Sequence, residues 1–520
     1  MNTFTLGLVV VIYLLLTAYL GYVGFRQTKT SEDYLLGGRT THPFIMAISY
    51  GAAFISTSAI VGFGGVAAVY GMGLIWLTFL NILFGIFIAF IVFGRRTRRL
   101  GRRLNAHTFP EFMGKRFGSR GIQTFIAAVI FIAMPLYAAV VLIGGARFIE
   151  SIFAIDFNVA LTFFTVIIAA YVIAGGLKGM MYIDALQGGI MFLCMLFILV
   201  MTYVKLGGVM GAHQALENMA ELVPEGLRMK GHQGWTSYPA WGSEWWWTLT
   251  TGIILGVGIG ALAQPQLVVR FMTVKSGREL NRAVLVGGIF ILVVTGFIYT
   301  AGALSNVFFH RQTGQLAIEA AGGNVDRIIP LFLNSAMPAW FVYLFMLALL
   351  SAAMSTLSSQ FHTMGSALGH DLLGTLFPKT RTNGMVITRL AVIFGIVVSM
   401  VIGYKLPGGI VARGTAIFFG VCAAAFLPAY IGGLFWPRTT ATAVKWSIAT
   451  GIVASLFMLV FMHGSESAPL GICKALFGRD VLVEQFPWML VDPIIIALPL
   501  AGAVLIAVSL LTKHESALDV

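Results

Sequence analysis

Apolar runs of about twenty residues follow one another along almost the whole chain, parted by short polar, basic or Gly/Pro-bearing stretches. A bilayer core of roughly 30 Å needs such a length, because a helix rises about 1.5 Å per residue. The runs predict thirteen membrane-spanning helices, at 4–25, 44–71, 74–93, 122–150, 158–177, 181–206, 246–268, 283–308, 337–369, 385–404, 410–436, 446–463 and 489–511. The first is the leading span, and the others are core spans one to twelve. A transmembrane barrel would instead show short alternating segments. The class is an all-α polytopic membrane protein.

Two runs carry helix-breaking residues. Core span one reads "AISYGAAFISTSAIVGFGGVAAVYG", and core span six reads "TTGIILGVGIGALAQPQLVVRFM" with Pro265 inside it. Glycine costs about 1 kcal/mol and proline about 3 kcal/mol inside a helix. A break frees carbonyls that lipid cannot satisfy, so the broken segment must face protein or a water-filled cavity. The two runs lie five spans apart, the spacing of a five-plus-five inverted repeat whose broken first helices meet at a central site. The same glycines would also serve close helix packing. This divides the chain into a leading span and polar loop (1–43), a first repeat (44–206) and a large loop (207–245). A second repeat (246–436) and two trailing spans with a short tail (437–520) complete it.

Composition agrees. Hydrophobic residues make up 58% of the 520 and charged ones 10%, against about 25% charged in a soluble domain. The net charge of +13 does not point to nucleic acid, because its distribution follows the loops. With the N-terminus outside, the predicted cytoplasmic loops hold 23 of the 33 Lys and Arg residues, and the outer loops nine. The loop "GRRTRRLGRRLNAHTFPEFMGKRFGSRG" alone carries nine, and Arg147 is left within a span. The first run has its basic flank after it, at Arg26 and Lys29, opposite to a secretory signal, so it is expected to be retained. In the large outer loop a short surface helix is expected, and Trp245, Trp246 and Trp247 suit an aromatic belt. Cys194, Cys422 and Cys473 show neither disulfide nor metal-site spacing.

Polar residues within the spans narrow the chemistry. "LLSAAMSTLSSQFHTMG" in core span eight puts Ser355, Ser358 and Ser359 at i, i+3 and i+4, on one helix face. Hydroxyls are hard neutral donors suited to an alkali cation, and they equally suit a packing seam bonded to preceding carbonyls. Asp184 in "YIDALQGGIMF" is costly inside a span and marks a functional site by default. It is expected either to face the headgroups or to face those serines and give a cation site its negative charge, with Gln187 one turn on. Ser351 is expected to pack, Arg147 to snorkel or cap, His362 to be held in the core, and Asp492 to start the last span. No P-loop, nucleophile elbow, zinc motif or paired acids appear, which argues against an ATP-driven pump or an enzyme.

Together "SAAMSTLSSQFHTMGSALGHDLL", "YIDALQGGIMF", "AQPQLVVRFM", "IGGARFIESIF" and "ISTSAIVGFGG" resemble the sodium/solute symporter family, over nearly the whole chain. Its members include sodium/proline, sodium/pantothenate, sodium/sialic acid and sodium/glucose symporters. The resemblance implies a LeuT-like fold and sodium-coupled symport by alternating access in a cell membrane, that of a bacterium's inner membrane. It implies an outer N-terminus, a cytoplasmic C-terminus, and Na⁺ and a small-molecule solute as partners beside the lipid bilayer. By matched motif it implies a first sodium site from the carbonyls of Ala52, Ile55 and Ala352 with the side chains of Ser355 and Thr356. A second, as in the sialic acid symporter, matches Asp184, Ser355, Ser358 and Ser359.

The substrate positions carried over are Ser56, Ser58, Ala59, Thr78, Tyr137, Val257 and Gly260. Where the sodium/proline symporter has an Asp this chain has Phe54, and where it has tryptophans this chain has Ser58 and Val257. Where sugar carriers are polar this chain has Ala59 and Thr78. These departures weaken proline and hexose, and broken-helix ends suit a carboxylate. A monocarboxylate or pantothenate is the expected solute, an amino acid or sugar derivative the alternative, and a transporter-like sensor or a channel the alternative class. Oligomeric state is left open.

Overall fold

The computed structural model describes residues 3–153, 155–174, 177–377, 384–406 and 410–513. The tail from 514 and the middle of the loop expected at 370–389 lie outside them. The described residues form helices throughout, joined by turns and one isolated bridge between Thr41 and Val274. Eleven of these helices are long and apolar enough to cross a membrane.

Two expected spans differ from that pattern. Core span four forms Phe157–Ala174, shorter than its neighbours. Core span one is divided into Pro43–Phe54 and a second half from Ser58 to Tyr70. Proline at the first helical position starts the first half with its φ preset and no amide hydrogen to satisfy. Ile55 then leaves the helix with φ −89° and ψ 104°. Core span six breaks in the same way. Its helix runs through Gly256–Gly260 and a turn at Ala261–Ala263, Gln264 is extended (φ −72°, ψ 115°), and Pro265 starts the next turn. The residue before a proline is driven from the helical region by the ring, which puts the break at Gln264.

Core span eight, Ala339–Ser366, is the central helix: 94% of its apolar window is buried, against 17% for the leading span. Core span five, Leu177–Leu206, lies along it, and both touch the first half of core span one. Close crossings are made where side chains are missing. A methyl on Gly302 would overlap the Gly64 carbonyl, and one on Gly24 would overlap Gly179, which brings the leading span against core span five. The trailing helices Ala441–Phe457 and Ile494–Leu511 pack on each other and on core span ten, Val411–Phe435. In the large loop, helices form at Gly208–Asn218 and Glu225–Met229. Trp245 packs on Tyr70 with ring centres 4.0 Å apart.

One charge assigned to a loop belongs to the interior. Arg270, counted with the polar segment 270–282, lies in the turn Val269–Met272 with 1% of its surface exposed. The turn after Pro265 folds back under core span one and carries the guanidinium inward.

Candidate functional site

The break in core span one meets the hydroxyls of core span eight. Ser355 Oγ donates toward Ala52 O (2.9 Å), Ser351 O (2.8 Å) and Ala352 O (3.2 Å). Thr356 Oγ1 lies 3.4 Å from Ala52 O and 3.3 Å from Ala53 O. Four of the five groups expected at a first ion site therefore gather around the last turn of Pro43–Phe54, and Ile55 is the residue that ends that turn. The break itself is held by side chains. Ser56 Oγ accepts the Ser58 amide at 3.1 Å, and Thr57 Oγ1 donates to Val141 O in core span three at 2.9 Å.

Asp184 is fully buried one layer away, and its neighbours are not those expected. Its Oδ2 accepts from Ser49 Oγ and from Arg270 Nη2, both at 2.8 Å. Arg270 Nη2 also reaches Ser359 Oγ at 2.8 Å, and its Nε reaches Ser49 Oγ at 3.1 Å. The guanidinium thus stands between Asp184 and the serine face, so the acid's charge is balanced by Arg270 rather than left for a cation alone. Ser358 and Ser359 Oγ donate back to Ser355 O at 3.1 and 2.9 Å. Asp184 Oδ1 is buried and has no hydrogen-bond partner among the described residues. A buried carboxylate oxygen left without a partner is the kind of donor a sodium ion would use. Gln187 turns to the leading span, where its Nε2 donates to Tyr13 OH at 2.9 Å. Ser351 Oγ donates to the same hydroxyl at 3.1 Å.

The substrate positions are only partly gathered. The Tyr137 hydroxyl bonds the Ser56 side chain, and the Tyr137 ring packs on Phe418 and Phe419, 4.7 and 5.5 Å between centres. Phe419 also faces Phe54 at 5.9 Å, and its backbone lies so close to Gly260 that a methyl there would overlap it. Val257 is buried one turn before Gly260. Ser58 Oγ is buried without a hydrogen-bond partner among the described residues. Ala59 is half-buried on the turn after the break. Thr78 accepts from Thr295 Oγ1 of core span seven at 2.9 Å instead of joining Ser56 and Tyr137.

Cavities open at both ends of the molecule. Core span ten has Arg413 at one end, and its other end receives Arg96 on Leu434 O. At the Arg413 end a cavity of 280 Å³ is lined by Tyr70, Thr248, Asp326, Arg413, His463 and Asp492, among others. At the arginine-rich end the cavity beside Ser359, Arg270 and His362 holds 20 Å³.

The arginine-rich end is tied by Glu111, an acid not singled out from the sequence. Glu111 accepts the His107 amide at 2.8 Å and pairs with Lys115 at 2.7 Å and His370 at 3.5 Å. Burial alone would raise its pKa, but the bonds from His107, His370 and Lys115 outweigh that and hold the carboxyl below its usual range. Next to it Asp371 accepts from Thr108 Oγ1 and Gln123 Nε2, both at 2.8 Å.

The profile of the sodium:solute symporter family matches residues 34–451. The chain belongs to that family. The symporter is a transporter rather than an enzyme, with sodium as its co-transported ion. It is 25% identical over 474 residues to the osmoregulated proline transporter OpuE of Bacillus subtilis, covering 90% of each chain. It is 24% identical over 454 residues to a sodium/pantothenate symporter of Haemophilus influenzae, covering 86% of this chain and 89% of the relative. A solved structure of a Na⁺-coupled sialic acid symporter, in a substrate-bound outward-open state, matches with a TM-score of 0.75 at 18% identity over 98% of each chain. The symporter thus has the all-helical LeuT-like fold of a multi-pass membrane protein.

Arg270, Ser49, Tyr13 and Phe419 were missed from the sequence. Arg270 had a signal: "AQPQLVVRFM" puts it five residues after the proline, close enough to fold back under the break. Tyr13 and Phe419 look like ordinary membrane aromatics and had none. The other singled-out residues have structural partners. Arg147 pairs with Glu150 at 2.9 Å and stacks on Phe157. His362 packs on Tyr34. Asp492 caps the last helix by accepting the Ile494 amide at 3.0 Å.

Proposed function

We propose that the symporter couples inward sodium flow to uptake of a small carboxylate, a monocarboxylate or pantothenate. The observation that carries this reading is the convergence of Ser355 Oγ and Thr356 Oγ1 on the carbonyls of Ala52 and Ala352 at the break of core span one. The first sodium ion is held by those groups with the carbonyl of Ile55. A second is held by Asp184 Oδ1 with Ser355, Ser358 and Ser359, beside a guanidinium that keeps the layer from carrying a lone negative charge. The free oxygen on Asp184 supports this second site. The solute lies between Ser56, Ser58, Tyr137, Val257 and Gly260, with Ala59 and Thr78 at its margin. The unpartnered Ser58 hydroxyl offers a hydrogen bond to a carboxylate, and the half-helix end beside it adds a favourable dipole.

Sodium couples to solute if it binds the solute-competent state better than the other state. An ion between core spans one and eight does this by fixing the half-helix whose end lines the solute pocket. The two repeats, 44–206 and 246–436, rock about this site. The arginine-rich end is cytoplasmic, by the excess of Lys and Arg in its loops, and the N-terminus is outside. The 280 Å³ cavity at the Arg413 end is then the outer approach.

The test is uptake of radiolabelled small carboxylates into proteoliposomes, with and without an inward sodium gradient. Uptake is expected to require the gradient. Equal uptake when potassium replaces sodium would remove the coupling. D184N and S359A are expected to lower the Hill slope for sodium, and unchanged slopes in both would remove the second ion.

A further inference from the structure

A cleft of 380 Å³ opens at the arginine-rich end, between the helix Arg95–Arg103 and the end of core span ten. Arg96, Arg99 and Arg103 line it from one helix face, at steps of three and four residues. Arg116 and the aromatic pair Phe435 and Trp436 line it from the other side. Two of the guanidiniums are committed to its walls. Arg96 Nη1 donates to Leu434 O at 3.1 Å and stacks on the Phe435 ring at 4.4 Å. Arg116 Nε donates to Gly433 O at 2.8 Å. Arg99 and Arg103 are exposed, and no described residue bonds or pairs with either. No carboxylate is among the described residues lining the cleft.

Depth in the membrane decides what such a cleft would hold. Arg95–Arg103 continues without a turn from the apolar helix of core span two, so its arginines emerge at the level of the lipid headgroups. One turn below Arg96, Val92 is 42% exposed, and one turn below Phe435, Ile431 is 41% exposed. Val92 shares the helix face of Arg96, Arg99 and Arg103, at steps of four, three and four residues, so the cations and an outward-facing apolar side chain lie on one stripe. A free phosphate would use only the cations. A phospholipid would use both parts.

We propose that this cleft binds the phosphate headgroup of an anionic lipid, paired to Arg99 and Arg103, with the acyl chains lying against Val92 and Ile431. Arginine forks match phosphate oxygens two at a time. A zwitterionic lipid offers the same phosphate, but its ammonium is repelled by the guanidiniums of the cleft, so an anionic headgroup is favoured.

The test uses the full chain in detergent, titrated with tetraoleoyl cardiolipin and followed by native mass spectrometry. R99Q/R103Q is expected to weaken binding about tenfold. R95Q/R102Q removes the same charge from positions outside the cleft, where Arg95 bonds Asn281 and Arg102 bonds the Lys275 carbonyl. It is expected to change binding less than about twofold. Equal losses in the two pairs would mean a diffuse charge effect and overturn the proposal. Displacement of cardiolipin by an equal concentration of inorganic phosphate, or equal binding of dioleoylphosphatidylcholine, would overturn it as a lipid site. Where the double variant does not elute as a single species, R99Q and R103Q are tested singly, each with about a threefold loss expected. Unaltered binding in both single variants would overturn it as well.

Discussion

Asp184 Oδ2 and Arg270 Nη2, from residues 86 positions apart, meet 2.8 Å from each other in a fully buried ion pair. Ser49, Ser359 and the Gln266 carbonyl also accept from the guanidinium. A buried pair gains little over a well-packed apolar substitute, but losing one partner strands the other charge. R270Q alone is expected to destabilise the protein by roughly 3–5 kcal/mol. D184N/R270Q should cost less than the sum of its single changes. Thermal unfolding of the four proteins in one detergent measures the coupling, and additive losses would show that the pair is not a unit.

Ser355 and Ser351 lie one turn apart on the same helix but have different partners. Ser355 meets the broken end of core span one, whereas Ser351 meets Tyr13 of the leading span. S355A/T356A is expected to lower apparent sodium affinity in uptake by about tenfold or more. S351A should leave the sodium dependence near that of the native protein and lower only the unfolding temperature. A matching loss of sodium affinity in S351A would move the ion site away from the break.

Phe419 packs against Gly260, the Tyr137 ring and Phe54, and so touches two of the positions expected to line the solute. F419L keeps most of the apolar volume and should cost about 1 kcal/mol of stability. It is expected to admit bulkier carboxylates, read as stronger competition by branched acids against a short labelled one. G260A should abolish uptake, because its methyl would collide with the Phe419 backbone, while leaving sodium-induced stabilisation in place. An unaltered competition profile in F419L would show that this ring does not border the solute.

The Glu111 carboxylate binds His107, Lys115 and His370, with Asp371 beside them, and its pKa lies below that of an unfolded glutamate. Its contribution to stability is therefore fully present above the unfolded value of about 4.3 and is lost as pH falls through the lower folded value. E111Q is expected to unfold at a lower temperature than the native protein throughout pH 5–8. The gap should close only in more acidic solution. A gap that instead opens on acidification would reverse the assigned direction.

Apolar run length made the helices legible, and Pro265 and the glycines of core spans one and six marked where two of them break. The hydroxyls of core span eight were legible because five of them crowd into nine residues of an apolar helix. What could not be read was which charge answers which. Arg270 stands among loop cations in the sequence, and only the fold-back after Gln264 takes it from that company into the interior. Phe419 and Tyr13 carry no signal because aromatic side chains are common in membrane helices. Their importance comes from the glycine and the serine they meet across the fold.

The Asp184–Arg270 pair also bears on how the chain folds. Arg270 lies five residues past the proline, in the turn that follows core span six, and a lone guanidinium buried there would be an uncompensated charge. Asp184 belongs to core span five and Arg270 to the turn that follows core span six, so neither segment can bury its charge in a pair without the other. The pair thus ties the seating of that turn to a helix 86 positions earlier, and a fold that lacks the contact holds an unpaired charge in its interior.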